Sequence, residues 1–200
     1  DVTKIQVKAL DITDRRQVAM KMLSTYGKSV KDTIANNELT AIVSKRDCGN
    51  LNYLRLLTHE LSSFGVFEEI TNKIREAGST VGELLNQILD RIEQETGVEL
   101  VNDVISLLYL SQSHGITEEY LTMALSLLPS VAADEKFRLE ITSDDGSMII
   151  KRVSRMKIAI LLNALELFLK PTAGSLMESV LFLREGEAFD IIKARYVGSK

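Results

Sequence analysis

Cysteine and proline are scarce in this 200-residue sequence, which has one cysteine, two prolines and no tryptophan. Cys48 has no partner for an internal disulfide, and its neighbours in the sequence do not form a metal-ligand set. Because disulfides are typical of oxidising compartments, their absence favours an intracellular, cytoplasmic protein. With so few prolines, helices can run without interruption.

Long apolar runs are also absent. No stretch approaches the roughly 20 apolar residues that span a bilayer, and the opening DVTKIQVKAL lacks the layout of a signal peptide. We therefore expect no membrane association. The sequence begins at Asp1 and not at a methionine, so we expect it to be part of a longer protein.

Basic residues are outnumbered, since 24 Lys and Arg against 28 Asp and Glu give a net charge of −4. Proteins that bind nucleic acids through phosphates rely on clustered bases, so this balance argues against general nucleic-acid binding. The sequence contains one basic cluster, which indicates either a solvated surface or a contact with an acidic neighbouring domain. Its members are Lys151, Arg152, Arg155 and Lys157.

Apolar residues repeat at helical spacing through most of the chain. The pattern predicts a first helix over residues 11–27, with Thr13 as N-cap candidate, and a short helix around Leu39. Asn50 is predicted to cap a strongly amphipathic helix. The residues expected on the buried face of that helix are Leu51, Leu54, Leu57 and Leu61.

Start and stop signals are clearest in the middle of the chain. Thr80 and Glu83 predict a capping box, Gly97 ends that helix, and two more helices follow, the second capped by Thr117. The period then becomes two, which predicts a β-hairpin near residues 137–153. The remaining predicted elements are a helix from Met156 to about Leu169, a strand at residues 180–183 and a helix from Glu187 to Tyr196.

Three helices followed by a β-ribbon are typical of a winged helix-turn-helix domain. The predicted fold class is therefore mainly α, with a small β-hairpin or wing. No enzyme site is predicted, because His59 and His114 lie in separate segments without a nucleophile motif around them.

Gly27-Lys28-Ser29 matches the last three residues of a phosphate-binding P-loop. The full motif needs a glycine five positions earlier and a buried strand before it, but Met22 stands there within a helical pattern. We interpret Gly27 as the end of a helix, since glycine readily takes the left-handed conformation.

Three segments together resemble a known family: VKALDITDRRQVAMKMLSTYGKSV, SKRDCGNLNYLRLLTHELSSFGVFEEI and TVGELLNQILDRIEQETGVELVNDVISLLYLSQSHGITEEYLTMAL. They resemble the region of NACHT-type STAND NTPases that follows the nucleotide-binding core, in the group containing telomerase-associated protein 1, nephrocystin-3 and the NACHT and WD-repeat proteins. The resemblance implies that residues 1–74 are the end of the NTPase core plus a helical lid. Residues 75–200 would be a winged-helix domain with a hairpin insertion near residues 137–153.

The resemblance also implies which residues would approach a nucleotide. ATP or ADP and both Walker motifs would belong to the core, which is missing from this sequence. In related proteins a lid-turn proline lies against the adenine, whereas this chain has Asn50, Leu51 and Asn52 there. Some relatives sense the phosphate with a His where this chain has Glu185, beside Arg184, and an acid close to phosphate is unfavourable.

The leading hypothesis is a non-catalytic regulatory and assembly module of a large STAND scaffold. It would pack against its own NTPase core, relay the core's state to downstream repeats such as WD units, and contact protein partners in a large complex. One alternative is a purely architectural interaction domain of a large particle or ciliary complex. A second alternative is a nucleic-acid-binding winged helix.

Overall fold

The computed structural model describes residues 8–30, 32–33, 37–63, 70–128, 138–142, 149–170 and 180–198. Most of these residues form helices, and short antiparallel strand pairs accompany them. This confirms the predicted mainly α class with a small β-hairpin. The chain divides into two compact units, Asp1–Ile88 and Leu89–Lys200. The domain boundary expected between residues 74 and 75 stays a prediction.

The first unit is built from helices that bury a leucine-rich and isoleucine-rich core. Its helices are α1 (Ile12–Thr25), α2 (Glu38–Val43), α3 (Leu51–Ser63), α4 (Ile70–Glu76) and the first half of α5 (Val81–Thr96). A 3-10 turn at Arg46–Gly49 joins α2 to α3. Large side chains in the core include Leu23, Ile42, Leu54, Leu57, Leu61, Ile74, Leu84 and Ile88. Burying each of them stabilises the fold by about 1.5–3 kcal/mol.

The ends of α1 follow local side-chain chemistry. The Asp11 carboxylate accepts the N–H of Asp14 at 2.8 Å, so Asp11 is the N-cap and the expectation for Thr13 is wrong. The N-cap lies two residues earlier than expected, because Asp11 has an extended backbone and its side chain accepts a free N–H of the first turn. At the other end, Gly27 has φ +67° and the N–H of Lys28 bonds to the carbonyl of Leu23, which confirms the predicted stop.

The second unit places helices around short strands. Its elements are α6 (Val98–Leu110), β1 (Ile116–Thr117), α7 (Glu118–Leu127), β2 (Arg138–Thr142), β3 (Ile149–Val153), α8 (Arg155–Ala164), β4 (Val180–Leu181) and α9 (Glu187–Ile192). A 3-10 turn at Glu166–Phe168 follows α8, and a π-helical turn at Lys193–Val197 follows α9. The helix expected from Met156 to about Leu169 therefore ends five residues early, where the backbone tightens into the 3-10 turn.

Two antiparallel pairings organise the strands. Strands β2 and β3 pair with Arg138 opposite Val153, which confirms the predicted hairpin, although its turn around Asp144 lies outside the described residues. Strand β1 pairs with β4, placing Ile116 opposite Leu181. Just before β1, Gly115 has φ +74°, and a Cβ there would overlap the side chains of Val180 and Phe182. Glycine is therefore required for this close approach.

Candidate functional site

Three of the candidate residues, Asn50, Leu51 and Asn52, lie at the start of α3. The Asn50 side-chain oxygen accepts the backbone N–H of Asn52 at 2.9 Å, which confirms Asn50 as the cap. Leu51 is 51% exposed, whereas Leu54 is fully buried, so the expectation that Leu51 lies on the buried face is wrong. It lies in the first turn of α3, at the edge of the buried side of the helix, where about half of its surface remains exposed. The turn thus presents two amides and one apolar side chain to solvent.

The 3-10 turn before Asn50 is held from α1. The carbonyl of Gly49 accepts the N–H of Leu10 at 2.9 Å, and the carbonyl of Leu10 in turn accepts Nε of Arg15 at 2.9 Å. A Cβ on Gly49 would come within 2.9 Å of an Arg15 guanidinium nitrogen. Burial raises the pKa of the Cys48 thiol, although the charge of Arg15 opposes this shift. Cys48 is therefore a neutral packing residue at neutral pH.

Asp47 connects this turn to the start of α5. Its backbone N–H donates to the carbonyl of Ser79 at 2.9 Å, and its carboxylate accepts the N–H of Val81 at 3.0 Å. From α3, the Tyr53 hydroxyl donates to the carbonyl of Gly78 at 2.5 Å. Burial raises the pKa of Tyr53 well above its usual value, so the hydroxyl remains a donor. Sequence reasoning missed these contacts, since the partners lie 25 or more residues apart.

Arg184 and Glu185, the other two candidates, lie in the second unit beside the residues that follow α8. Arg184 donates its backbone N–H to the carbonyl of Phe168 at 2.7 Å and its guanidinium to the carbonyl of Leu169 at 3.3 Å. Glu185 forms an ion pair with Lys170 at 2.8 Å, and this hydrogen bond lowers the pKa of the Glu185 carboxyl. Lys170 thus supplies a positive charge beside the acid.

The five candidates therefore form two local groups. Residues 50–52 share one turn in the first unit, and residues 184–185 share one segment in the second. Neither group contains a nucleophile with an adjacent base. Within the described ranges no cluster of three His, Cys, Asp or Glu side chains could hold a metal ion, and no helix there is both long and apolar enough to cross a membrane.

A second feature of the second unit is a set of exposed apolar side chains on α7 and α8, which we call the α7–α8 face. Its side chains are 55% to 80% exposed, and those of α7 recur at i, i+3 and i+7 on one side of the helix. An ion pair of 3.7 Å between Arg155 and Glu119 joins the first turns of the two helices. The face consists of Tyr120, Met123 and Leu127 on α7 and Met156 and Ile160 on α8.

The basic cluster near this face supplies little free charge in the part of it that the structure describes. Arg155 is paired with Glu119, and Lys157 is half-buried. The side chains of Lys151 and Arg152 lie outside the described residues. The described surface of α8 is therefore mainly apolar.

Comparison with known proteins finds similarity over part of the chain. The chain is 29% identical over 114 residues to telomerase protein component 1 of Mus musculus and, to the same extent, to that of Rattus norvegicus. The match covers 57% of this chain and 4% of each relative, so the chain spans a small part of the relatives it matches. No protein-family model matches the chain, and no solved structure matches it. The similarity supports the group that the sequence resemblance indicated.

Proposed function

We propose that this chain is a non-catalytic regulatory and assembly module of a large NACHT-type NTPase scaffold. It packs against a nucleotide-binding core outside these 200 residues and relays the state of that core to repeat domains. Similarity to telomerase protein component 1 supports a scaffold role in a ribonucleoprotein-associated complex, and the cytoplasm is the proposed location. ATP or ADP is held by the core, and the residues of this chain proposed to approach it are Asn50, Leu51 and Asn52 in the first unit and Arg184 and Glu185 in the second.

The strand pairing supports a winged-helix arrangement for the second unit. Strand β1 precedes α7 and β4 follows α8. The two strands pair with each other. Leu169 and Leu183 form a further antiparallel bridge, as the two sides of a wing would. The β2–β3 hairpin lies between α7 and α8 in the sequence, which fits an insertion into the helix-turn-helix.

The α7–α8 face is the observation that favours assembly with proteins over nucleic-acid binding. In a helix-turn-helix protein that binds DNA, the second helix presents polar and basic side chains to the major groove and the phosphates. Here the exposed side of α8 presents Met156 and Ile160, and the nearby Arg155 forms an ion pair with Glu119. Contiguous exposed apolar patches mark protein–protein contacts, and these side chains are the ones proposed to form such a contact.

The first experiment is to read the polypeptide upstream of Asp1 by peptide mapping of the endogenous protein. A G-x-x-x-x-G-K-[ST] segment after an apolar strand is expected. A calorimetric titration of the 200-residue chain with ATP and with ADP should then show no tight binding. Tight binding by this chain alone would overturn the assignment of the nucleotide to the core, and the absence of a P-loop would overturn the proposed link to an NTPase core and favour the architectural alternative.

The second experiment tests the α7–α8 face against the upstream domain expressed as a separate chain. Met156→Glu combined with Ile160→Glu should weaken binding at least tenfold, because two charges would enter an apolar contact. Ile12→Glu, at a 63% exposed position on α1, is the matched control and should bind as the unaltered chain does. Equal loss in both variants would reject the face as the contact.

A DNA and RNA titration at low salt should show no binding, and salt-sensitive binding would favour the nucleic-acid alternative.

A further inference from the structure

The connection between α4 and α5, residues 76–81, has its backbone groups bound by side chains of α5. Gln87 donates to the carbonyl of Glu76 at 3.0 Å and accepts the N–H of Gly78 at 2.7 Å. Glu83 accepts the next two N–H groups at 2.8 and 3.2 Å. The connection is therefore tied to the helix that follows it.

The same connection is bound from the opposite side by the segment that leads into α3. Asp47 accepts the N–H of Val81 with its carboxylate and donates its own N–H to Ser79, while Tyr53 donates to Gly78. Lys45 adds two hydrogen bonds to carbonyls near the end of α4, at 3.0 and 2.5 Å. Side chains from two separate parts of the first unit thus hold one short loop.

Close packing leaves this loop little room to absorb a displacement. A Cβ on Gly78 would lie 2.8 Å from the backbone nitrogen of Leu84, so the loop rests directly on the first turn of α5. At the other end, the carbonyl of Asp47 accepts the N–H of Asn50 at 2.8 Å. The backbone carbonyl of Asp47 thus contacts the turn at residues 50–52, and its backbone N–H and carboxylate contact the start of α5 and the residues before it.

We propose that Asp47 is a coupling residue that transmits displacement of the turn at residues 50–52 to the first turn of α5. The coupling itself follows from the hydrogen bonds of the first unit. Its biological trigger rests on the proposed function, in which a nucleotide-holding core presses on that turn. Such a coupling must be reciprocal, so a change at the start of α5 also alters the turn before α3.

Hydrogen exchange measured by mass spectrometry on the 200-residue chain tests this coupling without nucleotide. Asp47→Ala should speed exchange about fivefold in the peptide covering residues 79–83 and also in the peptide covering residues 50–54, as the loss of one hydrogen bond predicts. Asp47→Asn keeps an acceptor oxygen and should give a smaller change in the same two peptides. Asp14→Ala, at an exposed acid in α1, is the control and should change neither.

The reciprocal variant is Glu83→Gln, because the hydrogen bonds of Glu83 described above are all with residues 79–80. It should speed exchange in the peptide covering residues 47–50, which leaves out Arg46, the residue of that turn whose charge acts on Glu83. The N–H of Val81 loses its partner in Asp47→Ala in any case, so the decisive peptides are the one covering residues 50–54 in Asp47→Ala and the one covering residues 47–50 in Glu83→Gln. A purely local role for the two acids would leave both of these peptides unchanged, and that result would overturn the coupling. The exchange experiment uses no nucleotide, so failure of the coupling would not contradict the proposed function. Conversely, the absence of a P-loop upstream would contradict the proposed function but not the coupling.

Discussion

Gln112 pairs through its side-chain amide with both backbone polar groups of Leu183. Its oxygen accepts the N–H at 2.9 Å and its nitrogen donates to the carbonyl at 3.1 Å. Gln112 follows α6 and Leu183 follows β4, so one amide takes the place that a neighbouring strand would fill. The side chain of Leu183 is buried, and its backbone groups would have poor access to water without this partner.

Gln112→Ala should lower the free energy of unfolding by about 1–3 kcal/mol, because it leaves two backbone groups unpaired. Urea unfolding at 25 °C measures this change. Gln94→Ala, at an exposed position of α5, is the matched control and should change stability by less than about 0.5 kcal/mol. Similar values for the two variants would mean that water replaces the amide at Leu183.

Gly115 and Gly97 illustrate two different reasons for requiring glycine, which are backbone conformation alone and close approach of a neighbouring strand. Both have positive φ, but a Cβ on Gly97 would meet nothing within 4 Å, whereas one on Gly115 would overlap β4 and Phe182. Gly97→Ala should cost about 1–3 kcal/mol from backbone strain alone. Gly115→Ala should cost about 1–3 kcal/mol more, because the strand must move. Thermal and urea unfolding of both variants give the comparison, and equal costs would show that β4 yields freely.

The features that the sequence predicts well are those completed within one helical turn. Thr80 and Glu83 exchange hydrogen bonds with each other's backbone as the capping box requires. Thr117 caps α7 by accepting the N–H of Tyr120 at 3.2 Å. Donor and acceptor are three residues apart in each case, so residue type and spacing alone determine the contact.

The features that the sequence does not predict depend on distant partners. Asp47 and Val81 are 34 residues apart and Gln112 and Leu183 are 71 apart, and no local pattern indicates either pair. The same holds at the candidate site. Resemblance indicated Glu185, but Lys170, which pairs with it, is placed there only by the fold.

Leu51 and Leu54 test which side of α3 packs on the core. Leu54→Ala should lower the free energy of unfolding by about 2–5 kcal/mol, since the removed atoms are fully buried. Leu51→Ala should change it by about 0.5 kcal/mol or less, because half of that side chain is exposed. Urea unfolding at pH 7 measures both. A large loss with Leu51→Ala would place it in the core and remove it from the candidate site.

The capping box at Glu83 should make stability depend on pH in a defined direction. Hydrogen bonds from the N–H groups of Ser79 and Thr80 lower the pKa of the Glu83 carboxyl in the folded chain. The unfolded chain therefore binds a proton at a higher pH than the folded chain does. The stabilisation is fully present above the ordinary carboxyl pKa and is lost as pH falls through the lower folded value.

Glu83→Gln removes this titration while keeping the shape of the side chain. The stability difference between the unaltered chain and Glu83→Gln should be constant near neutral pH and should shrink below about pH 4.5, the ordinary value for glutamate. Urea unfolding of both at pH 7, 4.5, 4 and 3 (roughly spanning the range over which carboxyls titrate) measures it. Glu99→Gln, at an exposed acid in α6, is the control for removing a surface carboxylate, and its free energy of unfolding at pH 7 should lie within about 0.5 kcal/mol of that of the unaltered chain. A difference for Glu83→Gln that grows as pH falls would reverse the sign and show that the cap favours the protonated acid.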